Sequence, residues 1–292
     1  MGTEAMTYLI PSTIAETLHL LAEYGDRACP IAGGTDLLVA RRRGRLSKDV
    51  FVDIMKVEQL SVLELSNGGQ TISIGATCTH ARLARELDDV IPALADACRR
   101  LGSPQVRNVA TLGGNLVNAS PAGDTAPALV ALGAQVELVG NEGVRRLPVA
   151  ALFAGPGQTA LRPGEILARV IVDRPRAGEG MAFLKLGRRR SLAISVASAA
   201  AVVRLENRII ADVRLALGAV APKVALSKAA ELLKGNALTD ELLGKVALAV
   251  EKEVCPIGDI RASSHYRRVV AGVLARRAIA EAYRRAAIGA SC

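Results

Sequence analysis

Two Gly-Gly pairs carry the clearest chemical signal in this 292-residue chain. The first lies in Ile31-Ala32-Gly33-Gly34-Thr35-Asp36, between an apolar run from Ala28 and the start of a predicted helix. Glycine permits positive φ and close backbone approach. A strand, a Gly-Gly turn and a helix start gather several free N–H groups in one concave spot, a nest suited to anions and above all to phosphate. Thr35 adds a hydroxyl donor, and Asp36 is placed to cap the helix. Taken alone, the segment also reads as a plain strand-to-helix turn. The second pair lies in Thr111-Leu112-Gly113-Gly114-Asn115, followed by Ser120-Pro121-Ala122-Gly123-Asp124. Two nests suit a pyrophosphate better than a monophosphate. Asp124 either caps the next helix or accepts from ligand hydroxyls or ring N–H groups.

Other chemistries find no support. Gly155-Pro156-Gly157-Gln158-Thr159-Ala160 has the dinucleotide-fingerprint spacing, but Pro163-Gly164 follows too soon for the helix that motif needs, so it reads as a loop. There is no G-x-x-x-x-G-K-[ST] and no G-x-S-x-G. His19, His80 and His265 stand apart and read as structural. Cys29, Cys78, Cys98, Cys255 and Cys292 form no C-x-x-C pair, which excludes a zinc or iron–sulfur site of that type. Their odd number fits a reducing compartment, and with no signal-peptide pattern or membrane span the expected location is the cytoplasm. The formal charge is +9, with basic groups at Arg41–Arg43, Arg188–Arg190, Arg267–Arg268, Arg276–Arg277 and Arg284–Arg285. The last three pairs are spaced like the outer face of one helix. With Phe 3, Tyr 4 and Trp 0, there are too few rings to stack bases, so nucleic acid is not the expected partner.

Those nests need elements to hold them. Thr13-x-x-Glu16 is a capping box, and Ile14, Leu18 and Leu21 follow on one helical face that Gly25 ends. Ala28–Ala32 and Val50–Ile54 read as strands, with a helix over Asp36–Arg43 between them. Ser66–Gly69 and Gly140–Gly143 are hairpin turns. Pro92–Leu101 reads as a helix and Ile166–Val172 as a strand. The Gly/Asn/Ser/Pro-rich stretch 102–127 has no regular period. Pro175–Gly180 is the expected domain boundary. Beyond it come an antiparallel meander (Met181–Leu186, Ser198–Leu205, Ile209–Leu217) and helices over Val224–Leu233, Thr239–Val254 and Ser264–Ala286.

Across nearly its whole length the chain resembles the FAD-binding medium subunits of the molybdenum hydroxylases, the xanthine dehydrogenase, aldehyde oxidoreductase and carbon monoxide dehydrogenase family. The likeness runs through Tyr8-x-x-Pro11, Ala32-Gly33-Gly34-Thr35-Asp36, Ile74-Gly75-Ala76-x-x-Thr79 and Gln105-Val106-Arg107-Asn108-x-Ala110-Thr111-Leu112-Gly113-Gly114-Asn115. It continues in Ser120-Pro121-x-x-Asp124, Gly164-Glu165-Ile166-Leu167, Phe183-x-Lys185 and Asp259-x-Arg261-Ala262-Ser263-x-x-Tyr266-Arg267. The paired Gly-Gly-Asn and Ser-Pro-x-x-Asp blocks are its most specific part.

The resemblance implies an α+β chain. A two-subdomain FAD-binding fold of the vanillyl-alcohol oxidase class would span 1–176 (subdomains about 1–57 and 58–176). A C-terminal domain, 177–292, would carry a three-stranded antiparallel sheet and helices. It implies that Ile31, Ala32, Gly33, Gly34, Thr35 and Asp36 hold the FAD pyrophosphate, with Cys29 and Pro30 beside them. Gly34 would make a close backbone–phosphate contact. Ala110, Thr111, Gly113, Gly114, Asn115 and Ser120 would continue the cradle, and Leu101, Ile166 and Leu167 would give apolar contacts. Asp124 would bond the ribityl or adenosine part, and Lys185 would lie near the flavin's pyrimidine edge. FAD would be bound non-covalently, and no side chain would be a required acid or base. A large partner would carry the molybdenum cofactor and a small partner the [2Fe-2S] clusters, as a dimer of heterotrimers. Electrons would pass to an acceptor such as NAD. With no cysteine-rich insertion, no further cluster is expected in this chain. Ala193 departs from the acid many relatives have there, which puts its pairing with Arg189 in doubt. A stand-alone flavin reductase and a scaffold subunit without FAD are the competing readings.

Overall fold

The computed structural model describes residues 6–189 and 192–289. Arg190 and Cys292 lie outside the described residues. The first elements are β1 (Thr7–Leu9), α1 (Ile14–Tyr24), β2 (Ala28–Ile31), α2 (Leu37–Arg42) and β3 (Val50–Asp53). β1 and β2 both pair parallel with β3, which lies between them. That central place explains the unbroken apolar run Val50-Phe51-Val52, all buried. Thr13 caps α1 by accepting from the Glu16 amide, and Gly25 ends the helix at φ +50°.

Next come β4 (Leu63–Ser66), β5 (Thr71–Gly75), α3 (His80–Glu86), α4 (Pro92–Arg100), α5 (Pro104–Val109), α6 (Leu112–Val117) and α7 (Thr125–Ala131). They are followed by β6 (Gln135–Gly140), β7 (Gly143–Pro148), α8 (Val149–Leu152), β8 (Phe153–Gly155), β9 (Gln158–Thr159) and β10 (Ile166–Asp173). The five long strands form one antiparallel sheet in the order β4-β5-β10-β6-β7. The stretch without a sequence period thus contains α5, α6 and the start of α7. Each of the first two is a short helix begun by a side chain: Ser103 accepts from Val106 N–H, and Thr111 accepts from Gly114 N–H. The Gly155–Ala160 motif is the turn of the β8–β9 hairpin, not a helix start.

The last part holds β11 (Glu179–Gly187), β12 (Ser195–Glu206), β13 (Ile209–Gly218), α9 (Asp240–Glu253) and α10 (Ser264–Gly289). β12 is the central strand of this antiparallel sheet. The helix expected over Val224–Leu233 shrinks to a 3-10 segment, Lys228–Leu233, because Leu226 makes a β-bridge to Ala216 instead. The strand period of two divides this sheet's side chains between two cores. Met181, Phe183, Ala200, Val202 and Ala216 join the core of the five-stranded sheet. Ala182, Ala199, Ala201, Val203 and Leu215 face the core made with α9 and α10. Alanine is abundant here because the layers lie close. A Cβ on Gly180 would sit 2.1 Å from the Ala282 carbonyl of α10.

One charge assignment needs correction. Arg267 does not belong to a solvated outer face of α10: it is only 2% exposed and donates to backbone carbonyls in the core. Arg285 is also turned inward, towards Met181 O, while Arg284 pairs with Glu281 at the surface. Among the described residues no helix is long and apolar enough to cross a membrane.

Candidate functional site

The segment after β2 leaves the carboxyl end of the parallel sheet, where open α/β sheets place their ligands. It meets the α5–α6 connection across a cleft of about 340 Å³. Gly33 makes that meeting possible: a Cβ there would lie 2.0 Å from the Val109 carbonyl oxygen. Gly34 adopts φ +66°, which turns the chain. The result is a row of amides, Gly33 to Asp36, that donate to no acceptor among the described residues. Asp36 precedes α2, but its side chain makes no cap bond. The first nest therefore exists as expected, without the Asp36 cap.

The second Gly-Gly segment differs from expectation. Its amides are already used: Leu112 N–H donates to Cys78 O, Gly113 N–H to Ala76 O, Gly114 N–H to the Thr111 hydroxyl, and Asn115 N–H to Thr111 O. It is a capped helix start stitched to the segment after β5, not a second row of free donors. What it offers the cleft is side chains. The Thr111 hydroxyl keeps its own proton to donate, and Asn115, whose Oδ1 accepts from Thr125 at 2.6 Å, keeps its amide donors. Gly113 is needed for packing, since a Cβ there would be 2.7 Å from that of Ala76.

Pro30, Ile31, Ala32, Leu101 and Ala110 also line the cleft. Ile166 and Leu167 line an adjoining cavity of about 160 Å³ that shares Pro30, Ala32, Thr111 and Gly114 with it. Cys29 sits one residue before the lining, half-buried, with burial pushing its thiol pKa up. Ser120 faces a separate cavity, where its hydroxyl accepts from Ala122 N–H. Asp124 and Lys185 lie in neither cleft wall; they form a buried ion pair at 2.5 Å. Ser195 donates to the other Asp124 oxygen at 2.5 Å, and Lys185 also donates to Arg100 O at 3.1 Å. Asp124 therefore spends its carboxylate on tertiary contacts and makes no cap bond to α7. Burial is the largest influence on it and raises its pKa, while the Lys185 ammonium and the Ser195 hydroxyl pull the other way. Arg189, lacking an acid at Ala193, donates to Leu192 O.

Among the cleft residues not expected as site residues are one arginine and one histidine. Arg45, exposed, lines the mouth with a guanidinium that has no partner among the described residues. Its only signal was its place just after the basic group Arg41–Arg43. His80 lines the cleft from the start of α3 and is fully buried, its Nδ1 3.5 Å from Cys98 Sγ and its Nε2 without a hydrogen bond. Burial lowers its pKa from 6.5 to about 4. A neutral buried imidazole must charge when the chain unfolds in acid. The unfolded state then binds the extra proton, so stability is full above pH 6.5 and falls between there and pH 4. The loss attributable to His80 is about 3 kcal/mol. Urea unfolding at pH 7 and pH 4.5 should show a smaller acid loss in His80→Gln than in wild type; equal losses would remove His80 from this account.

Among the described residues no group of three or more His, Cys, Asp or Glu side chains is placed to hold a metal ion. Residues 4–175 match the model of the FAD binding domain in molybdopterin dehydrogenase, and residues 182–282 that of the CO dehydrogenase flavoprotein C-terminal domain. The nicotinate dehydrogenase FAD-subunit of Eubacterium barkeri is 33% identical over 89% of this chain and 90% of its own. The xanthine dehydrogenase FAD-binding subunit of Escherichia coli O157:H7 is 31% identical, over 94% and 95%. The solved structure of reconstituted CO dehydrogenase from Oligotropha carboxidovorans superimposes with a TM-score of 0.92 at 30% identity, covering 98% of this chain and 100% of that one.

Proposed function

The chain belongs to the family of FAD-binding medium subunits of the molybdenum hydroxylases, and from that premise we propose that its cleft seats FAD between the electron source and the final acceptor of a multi-subunit oxidoreductase. The observation that carries the reading is the row of free amides from Gly33 to Asp36, pressed against Val109 with the unpartnered Arg45 at its mouth. Such donors suit the two phosphates of a dinucleotide. Thr111 and Asn115 would donate from the opposite wall, and Leu101, Ile166 and Leu167 would pack on apolar parts of the ligand. Ser120, Asp124 and Lys185 would act from the side of the C-terminal sheet. The FAD-binding part would span 1–176 and the C-terminal part 177–292.

Bound there, FAD supplies the change from single-electron to two-electron transfer. This chain's share is to bind, orient and tune. The amides and Arg45 would hold the phosphates, and the Lys185 ammonium, paired with Asp124 behind the cleft lining, would favour negative charge on the ring. Hydroxylation would take place on a large subunit with the molybdenum cofactor. A small subunit with [2Fe-2S] clusters would deliver electrons one at a time, and NAD would receive the pair, within a dimer of heterotrimers.

Among the described residues His80 is fully buried and Cys29 lies outside the cleft lining, so no thiol or imidazole is presented as a tether and the flavin should be held without a covalent bond. Acid precipitation of the purified protein should release all its yellow colour as FAD, identified by chromatography. A colourless protein that takes up no added FAD would sink the reading; colour retained in the pellet would refute the non-covalent link.

A further inference from the structure

Arg267 carries the tail motif Asp259-x-Arg261-Ala262-Ser263-x-x-Tyr266-Arg267, to which nothing above assigns a role. It is 2% exposed, so its charge is held deep inside the C-terminal part. One guanidinium nitrogen, Nη1, donates to Val196 O at 3.0 Å and to Ala219 O at 3.1 Å; Nη2 donates to Asp259 at 2.7 Å. The β12–β13 ladder stops at Ser198 opposite Gly218. Val196 and Ala219 lie just beyond that last rung, where the two strand ends have no backbone bonds to one another. The guanidinium bridges their carbonyls in place of the missing rung.

Both strand ends grip the loop that carries Asp124. Ser195, next to Val196, donates to Asp124 at 2.5 Å. Ala219, in the left-handed region at φ +62°, donates its amide to Pro121 O at 2.8 Å. Gly218 abuts α7, since a Cβ there would lie 2.7 Å from Pro127. We infer that Arg267 is a positioning residue for the flavin site: by locking the ends of β12 and β13 it fixes the Pro121–Asp124 loop and with it the Asp124–Lys185 pair. This rests on the reading that the cleft and Lys185 serve FAD.

Arg267→Lys keeps a cation but loses the planar fork whose Nη1 reaches both carbonyls while Nη2 holds Asp259. Hydrogen exchange on the full chain without cofactor reads the clamp directly, and the Ala219 amide should exchange at least tenfold faster. In the flavin-loaded complex the variant's flavin potential should fall by about 30 mV, the two-electron equivalent of a tenfold loss of preference for the reduced form. Ser195→Ala, alone and combined with Arg267→Lys, closes a double-mutant cycle. Acting through Ser195 and Asp124, the double variant should fall little further than either single one. A purely structural arginine lowers Tm but leaves the potential and the Ala219 exchange at wild-type values, and that result overturns the inference, as does full additivity. If Arg267→Lys does not fold, Asp259→Asn, which keeps the guanidinium and removes its carboxylate partner, decides in the same way with smaller shifts. Wild-type protein that binds no FAD would remove the cofactor reading instead, while Ala219 exchange still decides whether the clamp exists.

Discussion

Gly33→Ala is expected to abolish flavin binding in a chain that remains folded. The added Cβ would fall 2.0 Å from the Val109 oxygen and 2.6 Å from its carbonyl carbon. Both are backbone atoms, so no rotamer change relieves the contact, and the Ala32–Asp36 segment must move away from the α5–α6 connection. Two or more amide-to-phosphate bonds are then misplaced. At about 1.5–3 kcal/mol each for bonds to a charged group, the loss is at least about 3 kcal/mol, or more than 100-fold in affinity. Gly34 has a different requirement. Its nearest neighbour would be Leu38 Cδ1 at 3.1 Å, the movable end of a side chain, and its constraint is φ +66°. Gly34→Ala should therefore cost roughly 1–2 kcal/mol of backbone strain and retain measurable binding. FAD titration followed by fluorescence, with circular dichroism as the folding control, ranks the two. Full binding by Gly33→Ala, or a worse loss in Gly34→Ala, would show the close approach is misplaced.

The contrast shows where sequence reasoning stops. The first Gly-Gly turn is legible because a local pattern, apolar run then glycines then helix, forces its shape. Its partner, Val109, is distant along the chain, and nothing local announces that contact. The close backbone contact with Val109 thus belongs to Gly33. The second segment misled for the opposite reason. Glycine richness resembles a loop, yet Ser103 and Thr111 are N-caps, and Pro104 stands at a first helical position. Helices of six residues have too few turns to show a period. Arg267 was read as surface because pairs of arginines recur along α10, but only a tertiary view shows the open strand ends it bridges. The meander and both long C-terminal helices were legible, since apolar runs broken by the polar Glu206-Asn207-Arg208 turn and helical spacing are local signals.

Lys185→Met removes a charge and keeps the length of the stem, a change that costs little at a surface site. The structure predicts a larger cost. Lys185 and Asp124 are each 6% exposed and lie 2.5 Å apart, so the variant leaves a buried carboxylate facing a thioether. Breaking a buried pair from one side costs about 3–5 kcal/mol. Asp124 can escape part of that cost by taking a proton. Burial already raises its pKa, and loss of the ammonium removes the chief opposing influence, so it rises further. A carboxyl whose folded pKa lies above its unfolded value favours folding fully below the unfolded pKa and loses that contribution as pH rises through the folded one. The deficit of Lys185→Met should therefore be larger at pH 8 than at pH 5. Asp124→Asn in the same chain should restore most of the stability at pH 8, because a neutral amide needs no counter-ion. Urea unfolding of the single and double variants at both pH values supplies the test. A deficit that does not change with pH, or a double variant no more stable than Lys185→Met at pH 8, would mean that Asp124 is not the charge left unpaired. If FAD occupies the cleft, Lys185→Met should lower the flavin potential and the double variant should stay as low, since Asn restores packing around Asp124 but returns no positive charge to the ring.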